Sequence, residues 1–190
     1  MIVDHRLSFA RQVPSLNCSE RPVGTVIDTL VIHNISLPPG QYGGGYVDAL
    51  FCNRLDAGEH DYFAEIAHLR VSSHLLIDRA GAVSQYVPFN RKAWHAGVSS
   101  FCGRENCNDF SIGIELEGTD FEPFTAAQYD QLVSVTGLIT AAYPQITLDR
   151  IVGHSDVAPG RKTDPGPHFD WRLFKTRCQL TLAHEAGQNA

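Results

Sequence analysis
Residues 25–35, TVIDTLVIHNI, constrain the fold more than any other part of this chain. They form a nearly continuous run of apolar and β-branched residues, with little of the alternation that marks a strand open to water on one side. Such a run reads as a central strand buried on both faces. It ends in His33-Asn34, so polar side chains stand where a core strand leaves the interior.

The remaining elements fit around such a strand. SLPPGQYGGGY follows it, and its two Pro and four Gly predict a tightly turning or mobile loop. Residues 46–69 carry short helical patterns (Val47, Leu50, Phe51, Leu55) broken near Gly58, which makes 36–69 a long excursion of the kind that often carries function. Residues 73–78 (SHLLID) and 82–87 (AVSQYV) flank Arg79-Ala80-Gly81, a β-hairpin with Gly in its turn. Residues 111–117, SIGIELE, alternate as a strand with Ile112 and Ile114 on one face and Gly113, Glu115 and Glu117 on the other. Thr125 and Gln128 have the spacing of a capping box. Behind them Tyr129, Leu132, Val133, Thr136, Ile139 and Tyr143 recur at helical spacing until Pro144. Asp170 is placed to cap a last helix carrying Trp171, Phe174 and Cys178. Strands and helices are interspersed, which predicts an α/β fold with a mixed central sheet and flanking helices.

Composition narrows the function. A chain of 190 residues without a visible linker or repeat is expected to be one domain, 1–190. With 43% hydrophobic residues, ten of them Phe and six Tyr, it is not disordered. Its net charge of −6 argues against nucleic acid as a partner. No 18 apolar residues run together, so no membrane partner is expected. The opening MIVDHRLSFARQVPS is charged and lacks the apolar stretch of a secretory signal, so a cytoplasmic location is expected. Five Cys without a C-x-x-C read as free thiols, and neither Cys102 nor Cys107, the two nearest His95, sits in a nucleophile motif. Nine His beside many carboxylates raise the question of metal binding through nitrogen and oxygen.

Three segments concentrate polar residues where strands end: VIHN at 31–34, IGIEL at 112–116, and GHSDVAPGRKTDPG at 153–166. His33 and His154 are candidate ligands, because zinc sites in hydrolases take three protein ligands from His and carboxylate and keep one position open. Asp156 and Asp164 compete for the third place. In an extended segment Asp156 would project to the same side as His154, whereas Asp164 lies beyond Pro159-Gly160, a turn able to fold the loop back; spacing does not choose between them. Glu115 is the candidate base, since burial in an apolar strand raises a carboxyl pKa toward the range useful for taking a proton from water. Glu117, on the same face nearer the strand end, is its control. Lys162, in the ligand-bearing loop, is placed to stabilise an oxyanion. Trp94-His95 offers a stacking face and a hydrogen bond to a sugar or peptide.

VIHNISLPPG, HLRVSSHLLI, AWHAGVS, CNDFSIGIELEGTD and GHSDVAPGRKTDPGPHFDW together resemble the zinc-dependent N-acetylmuramoyl-L-alanine amidases. Among these the chain looks most like the AmpD-type enzymes of cytoplasmic peptidoglycan recycling. The resemblance runs from about residue 20 to 175, with several motifs agreeing in order and spacing. It implies the fold shared with phage endolysins and peptidoglycan-recognition proteins, and one Zn2+ held by His33, His154 and Asp164. In related endolysins the third ligand is a Cys, so Asp164 favours the recycling branch. Glu115 matches the family's catalytic base and Lys162 the lysine that stabilises the transition state. Asn34, Arg70, Trp94, His95 and Arg104 fall in segments lining the substrate groove. The implied substrate is a soluble anhydro-muramoyl peptide, cut at the amide between the lactyl group of muramic acid and L-alanine. The implied cellular consequence is restraint of β-lactamase induction, and a monomer is expected. Two other functions remain to be separated: a module that binds peptidoglycan fragments without cutting them, and a lytic amidase acting on intact murein.

Overall fold
The computed structural model describes residues 1–188, with side chains as far as Thr181. Six strands form the central sheet: β1 (Arg11–Gln12), β2 (Thr29–Ile35), β3 (Leu75–Ile77), β4 (Val83–Gln85), β5 (Ser111–Glu117) and β6 (Ile151–Gly153). Their order across the sheet is β6-β2-β5-β3-β4-β1. Neighbours from β6 to β3 run parallel, β3 and β4 form the antiparallel hairpin, and β1 lies parallel to β4. The apolar run at 25–35 therefore supplies an interior strand, paired on both edges. It begins at Thr29 rather than residue 25, and Asp28, just before it, pairs with Arg104 and Arg150.

Alternation along β2 and β5 sorts the two faces. Leu30, Ile32, Ile112 and Ile114 point into a core shared with Leu75, Ile77, Leu132, Ile139 and Phe174. That core lies under α3 (Ala126–Ala142) and α5 (Trp171–Gln188), which pack against each other. Each such fully buried aliphatic side chain contributes about 1.5–3 kcal/mol. The capping box of α3 is present: Thr125 Oγ1 accepts from the Gln128 N–H at 3.1 Å and Gln128 Oε1 accepts from the Thr125 N–H at 3.0 Å. Asp170 accepts from the Leu173 N–H at 2.8 Å, as a cap should.

The other face carries Val31, His33, Gly113 and Glu115. Here the excursion after β2 folds into α1 (Tyr46–Phe51) and α2 (Asp61–Ile66), whose Val47, Leu50, Phe51 and Phe63 pack with Leu76 and Tyr86. Residues 93–110 cover the rest, with Ala96, Cys107 and Phe110 against Val31 and Val152. The five cysteines are free. Among the described residues no helix is long and apolar enough to cross a membrane.

Candidate functional site
Parallel strands leave their carboxyl ends together, and in open α/β sheets that edge is where ligands bind. His33 sits near the end of β2, and His154 directly follows β6 as the first residue of α4 (His154–Val157). Asp164 returns in the loop beyond, its carbonyl accepting from the Ser155 N–H at 3.0 Å. His33 Nδ1 lies 2.9 Å from His154 Nδ1, and both lie 3.0 Å from Asp164 Oδ2.

Each of these atoms can offer a lone pair. His154 Nε2 is 3.1 Å from the Ala96 carbonyl oxygen, which can only accept, so Nε2 carries a proton and Nδ1 is the nitrogen that faces His33 and Asp164. Burial pulls the His33 imidazole down to about 4, so this ring is neutral at pH 7. Lone pairs crowded at 3 Å repel one another unless positive charge lies between them. Two imidazole nitrogens and a carboxylate oxygen form a donor set that suits zinc.

The competing carboxylate is not part of this group. The segment after Gly153 is a helical turn, not an extended strand, so Asp156 does not share a side with His154. Its Oδ2 accepts from the Gly153 N–H at 2.7 Å and closes the start of α4.

Glu115 is the register partner of His33 on β5 and shares its face. It is buried, and its Oε2 has no hydrogen-bond partner. Burial and then the charge of Asp164 hold its pKa well above the carboxylate range, while Lys162 pulls the other way. Glu117 has no such freedom. Its Oε1 accepts from the Gly43 N–H at 2.6 Å and its Oε2 from the Arg79 N–H at 3.2 Å, so it ties two loops together.

A pocket of about 540 Å³ opens over these groups. Its polar end holds His33, Glu115, His154, Lys162 and Asp164, and its apolar wall includes Leu37, Leu50, Tyr62, Ile66, Leu69 and Trp94. Asn34 lines it with its amide on Asp120 at 2.7 Å, and the Trp94 indole N–H donates to Ser19 at 3.2 Å. Arg70 is not among the lining residues, although its chain neighbours Leu69 and Val71 are, and its guanidinium lies on the His68 and Leu69 carbonyls at 3.3 and 3.4 Å.

Arg104 is not in the groove. It pairs with both carboxylate oxygens of Asp28 at 2.8 and 2.7 Å and stacks on Phe110, 3.8 Å from the ring centroid. Asp28 precedes β2, so five residues, about 16 Å of strand, separate that pair from His33. The groove function expected for Arg104 gives way to a structural ion pair.

Other features around the site escape a motif reading. A Cβ on Gly113 would lie 2.5 Å from His95 Cγ; a glycine inside a strand is the sequence signal for such close approach. His74 is fully buried, its Nδ1 accepting from the Gly113 N–H and its Nε2 donating to the Arg91 carbonyl, both at 3.0 Å. No spacing pointed to it. Phe121 stands 87% exposed at the pocket rim, where an apolar side chain has no packing reason to be.

A family model described as N-acetylmuramoyl-L-alanine amidase matches residues 23–167. The chain is 57% identical over 176 residues to the 1,6-anhydro-N-acetylmuramyl-L-alanine amidase AmpD of Salmonella typhimurium strain SL1344, covering 93% of this chain and 94% of that one. A crystal structure of a selenomethionine AmpD derivative superposes with a TM-score of 0.91 at 55% identity, over 93% of this chain and 98% of that one. The amidase AmiD of Escherichia coli, solved with anhydro-N-acetylmuramic acid-L-Ala-D-gamma-Glu-L-Lys as substrate, superposes with a TM-score of 0.60 at 30% identity, over 83% of this chain and 60% of that one.

Proposed function
The chain belongs to the N-acetylmuramoyl-L-alanine amidase family, and from that premise we propose that it cuts its substrate with His33, His154 and Asp164 holding zinc, Glu115 moving the proton and Lys162 meeting the developing negative charge. The enzyme is a hydrolase of peptidoglycan recycling, acting on the amide between the lactyl group of 1,6-anhydro-N-acetylmuramic acid and L-alanine. Zinc at this centre supplies a Lewis acid for the scissile carbonyl and makes water acidic enough to attack near neutral pH.

The chain's own residues supply the rest. Glu115, unpaired and buried beside His33, accepts the proton of the attacking water and later returns it to the alanine nitrogen, so the leaving group departs as a neutral amine. Its raised pKa suits the second of these steps, and the positive charge of Lys162 favours the ionised form needed for the first. Lys162 also faces the oxyanion, a contribution on the order of 3 kcal/mol by analogy with oxyanion-hole donors. Trp94, Leu69 and Tyr62 give the sugar and peptide an apolar wall, and Asn34 stands at the same pocket. Arg70, which has no carboxylate partner among the described residues, takes a carboxylate of the stem peptide. The enzyme works in the cytoplasm on soluble muropeptides.

The convergence of two imidazole nitrogens and a carboxylate oxygen within 3.0 Å of one another, beside an unpartnered Glu115, is the observation that carries this reading. Purified protein offered soluble anhydro-muramoyl tripeptide and intact murein, with and without a chelator, tests it. Cleavage of the soluble compound alone, abolished by chelation and restored by zinc, is the expected result. Cleavage of murein at a similar rate points to a lytic enzyme, and binding without turnover in the presence of zinc defeats the proposed chemistry.

A further inference from the structure
The protons around His33 can be placed from its neighbours. Ser111 Oγ donates to the Cys107 carbonyl oxygen at 2.6 Å, an atom that can only accept. With that proton committed, Ser111 Oγ accepts from His95 Nε2, 3.2 Å away. The neutral His95 ring then presents a bare Nδ1 at 2.9 Å from His33 Nε2, which must donate. His33 Nδ1 is left as a lone pair facing His154 Nδ1 and Asp164 Oδ2. The chain of donors has one direction, set at its far end by a backbone carbonyl.

The segment carrying His95 is itself anchored. The N–H groups of His95 and Ala96 both donate to Asn108 Oδ1, at 3.1 and 2.8 Å. The Ala96 carbonyl accepts from His154 Nε2 at 3.1 Å and from Arg161 at 2.6 Å. One dipeptide thus meets both imidazoles, His33 through a side chain and His154 through a carbonyl. Gly113 leaves the space in which the His95 ring stands. Both ring nitrogens of His95 are engaged within the protein, which removes the sugar or peptide hydrogen bond expected of it from sequence.

We propose that His95 is a positioning residue: fixed by Ser111 and Asn108 and seated against Gly113, it holds His33 in the Nε2-protonated tautomer and keeps the Nδ1 lone pair aimed at the ion, while the Ala96 carbonyl does the same for His154. The proposal rests on His33, His154 and Asp164 being the zinc ligands.

Two measurements test it, one of them without metal. Long-range proton–nitrogen NMR of the metal-free protein with labelled histidine, at neutral pH, is expected to show His33 and His95 protonated at Nε2. A His33 ring protonated at Nδ1 overturns the proposal. Zinc dissociation constants by chelator competition then compare the wild type with His95→Phe, which keeps the ring volume without an acceptor, and His95→Asn, whose Oδ1 replaces Nδ1. His95→Phe is expected to weaken zinc binding roughly 10- to 100-fold, and His95→Asn to recover most of that loss. Unchanged affinity in His95→Phe, or equal losses in both variants, overturns the proposal. If His95→Phe does not fold, Ser111→Ala serves: it is expected to weaken zinc binding and to populate the other tautomer of His95, and no change in either overturns the proposal. A wild type that takes up no zinc defeats the ligand assignment instead, and the metal-free tautomers still report on His95.

Discussion
Glu115 and Glu117 lie two residues apart on one face of one strand, yet only Glu117 has both carboxylate oxygens satisfied. Glu115→Gln should therefore lower kcat by roughly 10²- to 10⁴-fold with zinc affinity retained, whereas Glu117→Gln should lower stability first. Lys162→Ala should reduce kcat by about 10²- to 10³-fold. Steady-state kinetics paired with chelator competition separates these effects. The two arginines give a sharper contrast. Arg70→Ala should raise KM and leave kcat alone, while Arg104→Ala should leave KM alone and lower the melting temperature, because Asp28 loses a partner. At this scale the sequence showed the strand-end residues His33 and Glu115, whose place follows from local alternation. It did not show that Arg104 is paired at the amino end of β2, because its partner lies 76 residues away.

Gln128 joins elements rather than merely capping one. Its Nε2 donates to the Glu117 carbonyl at 2.8 Å and to the Ile77 carbonyl at 3.3 Å, tying the start of α3 to the ends of β5 and β3. Gln128→Ala leaves two buried carbonyls without their side-chain donor and should cost about 1–3 kcal/mol, against about 1–2 kcal/mol for Thr125→Ala, which removes the cap and the part-buried bond to the Arg79 carbonyl. Urea denaturation of the two variants measures the difference. The capping box was legible because it needs only residues four positions long. The turn of helix at His154–Val157 was not: GHSDV reads as loop, and it becomes helical where Asp156 closes on the Gly153 N–H and the Ala158 N–H donates to the His154 carbonyl. That single turn decides which carboxylate can join the histidines.

The whole molecule carries the cost of a buried cluster of imidazoles. His74 is held to about 3 by burial and by the charge of Arg21, so it stays neutral in the folded protein well below the ordinary histidine range. The unfolded chain takes up that proton below about pH 6.5, so it binds more protons than the folded one and stability falls as pH drops from there toward 3. The slope reaches about 1.4 kcal/mol per pH unit for each such histidine. Denaturation of the metal-free protein at about pH 7.5 and about pH 5 should show it, with a shallower dependence in His74→Asn. Metal removal acts on the same body. A ligand present at about 100 times its dissociation constant adds about 2.7 kcal/mol, so chelation should lower the melting temperature by about 5–10 °C for a chain of this size. The sequence by itself determined the interior strand, the hairpin, the capped helices and the face that Glu115 shares with Gly113. These follow from periodicity and capping, which act over a few neighbouring residues. Spacing left Asp156 and Asp164 tied and the family resemblance implied Asp164; the tertiary structure brings Asp164 to the histidines, and only it decided that Arg104 does not reach the groove and that His95 serves His33 from 62 positions away. Hydrogen-bond direction and the end of the sheet a side chain reaches are set by contacts between distant residues, and no local pattern encodes them.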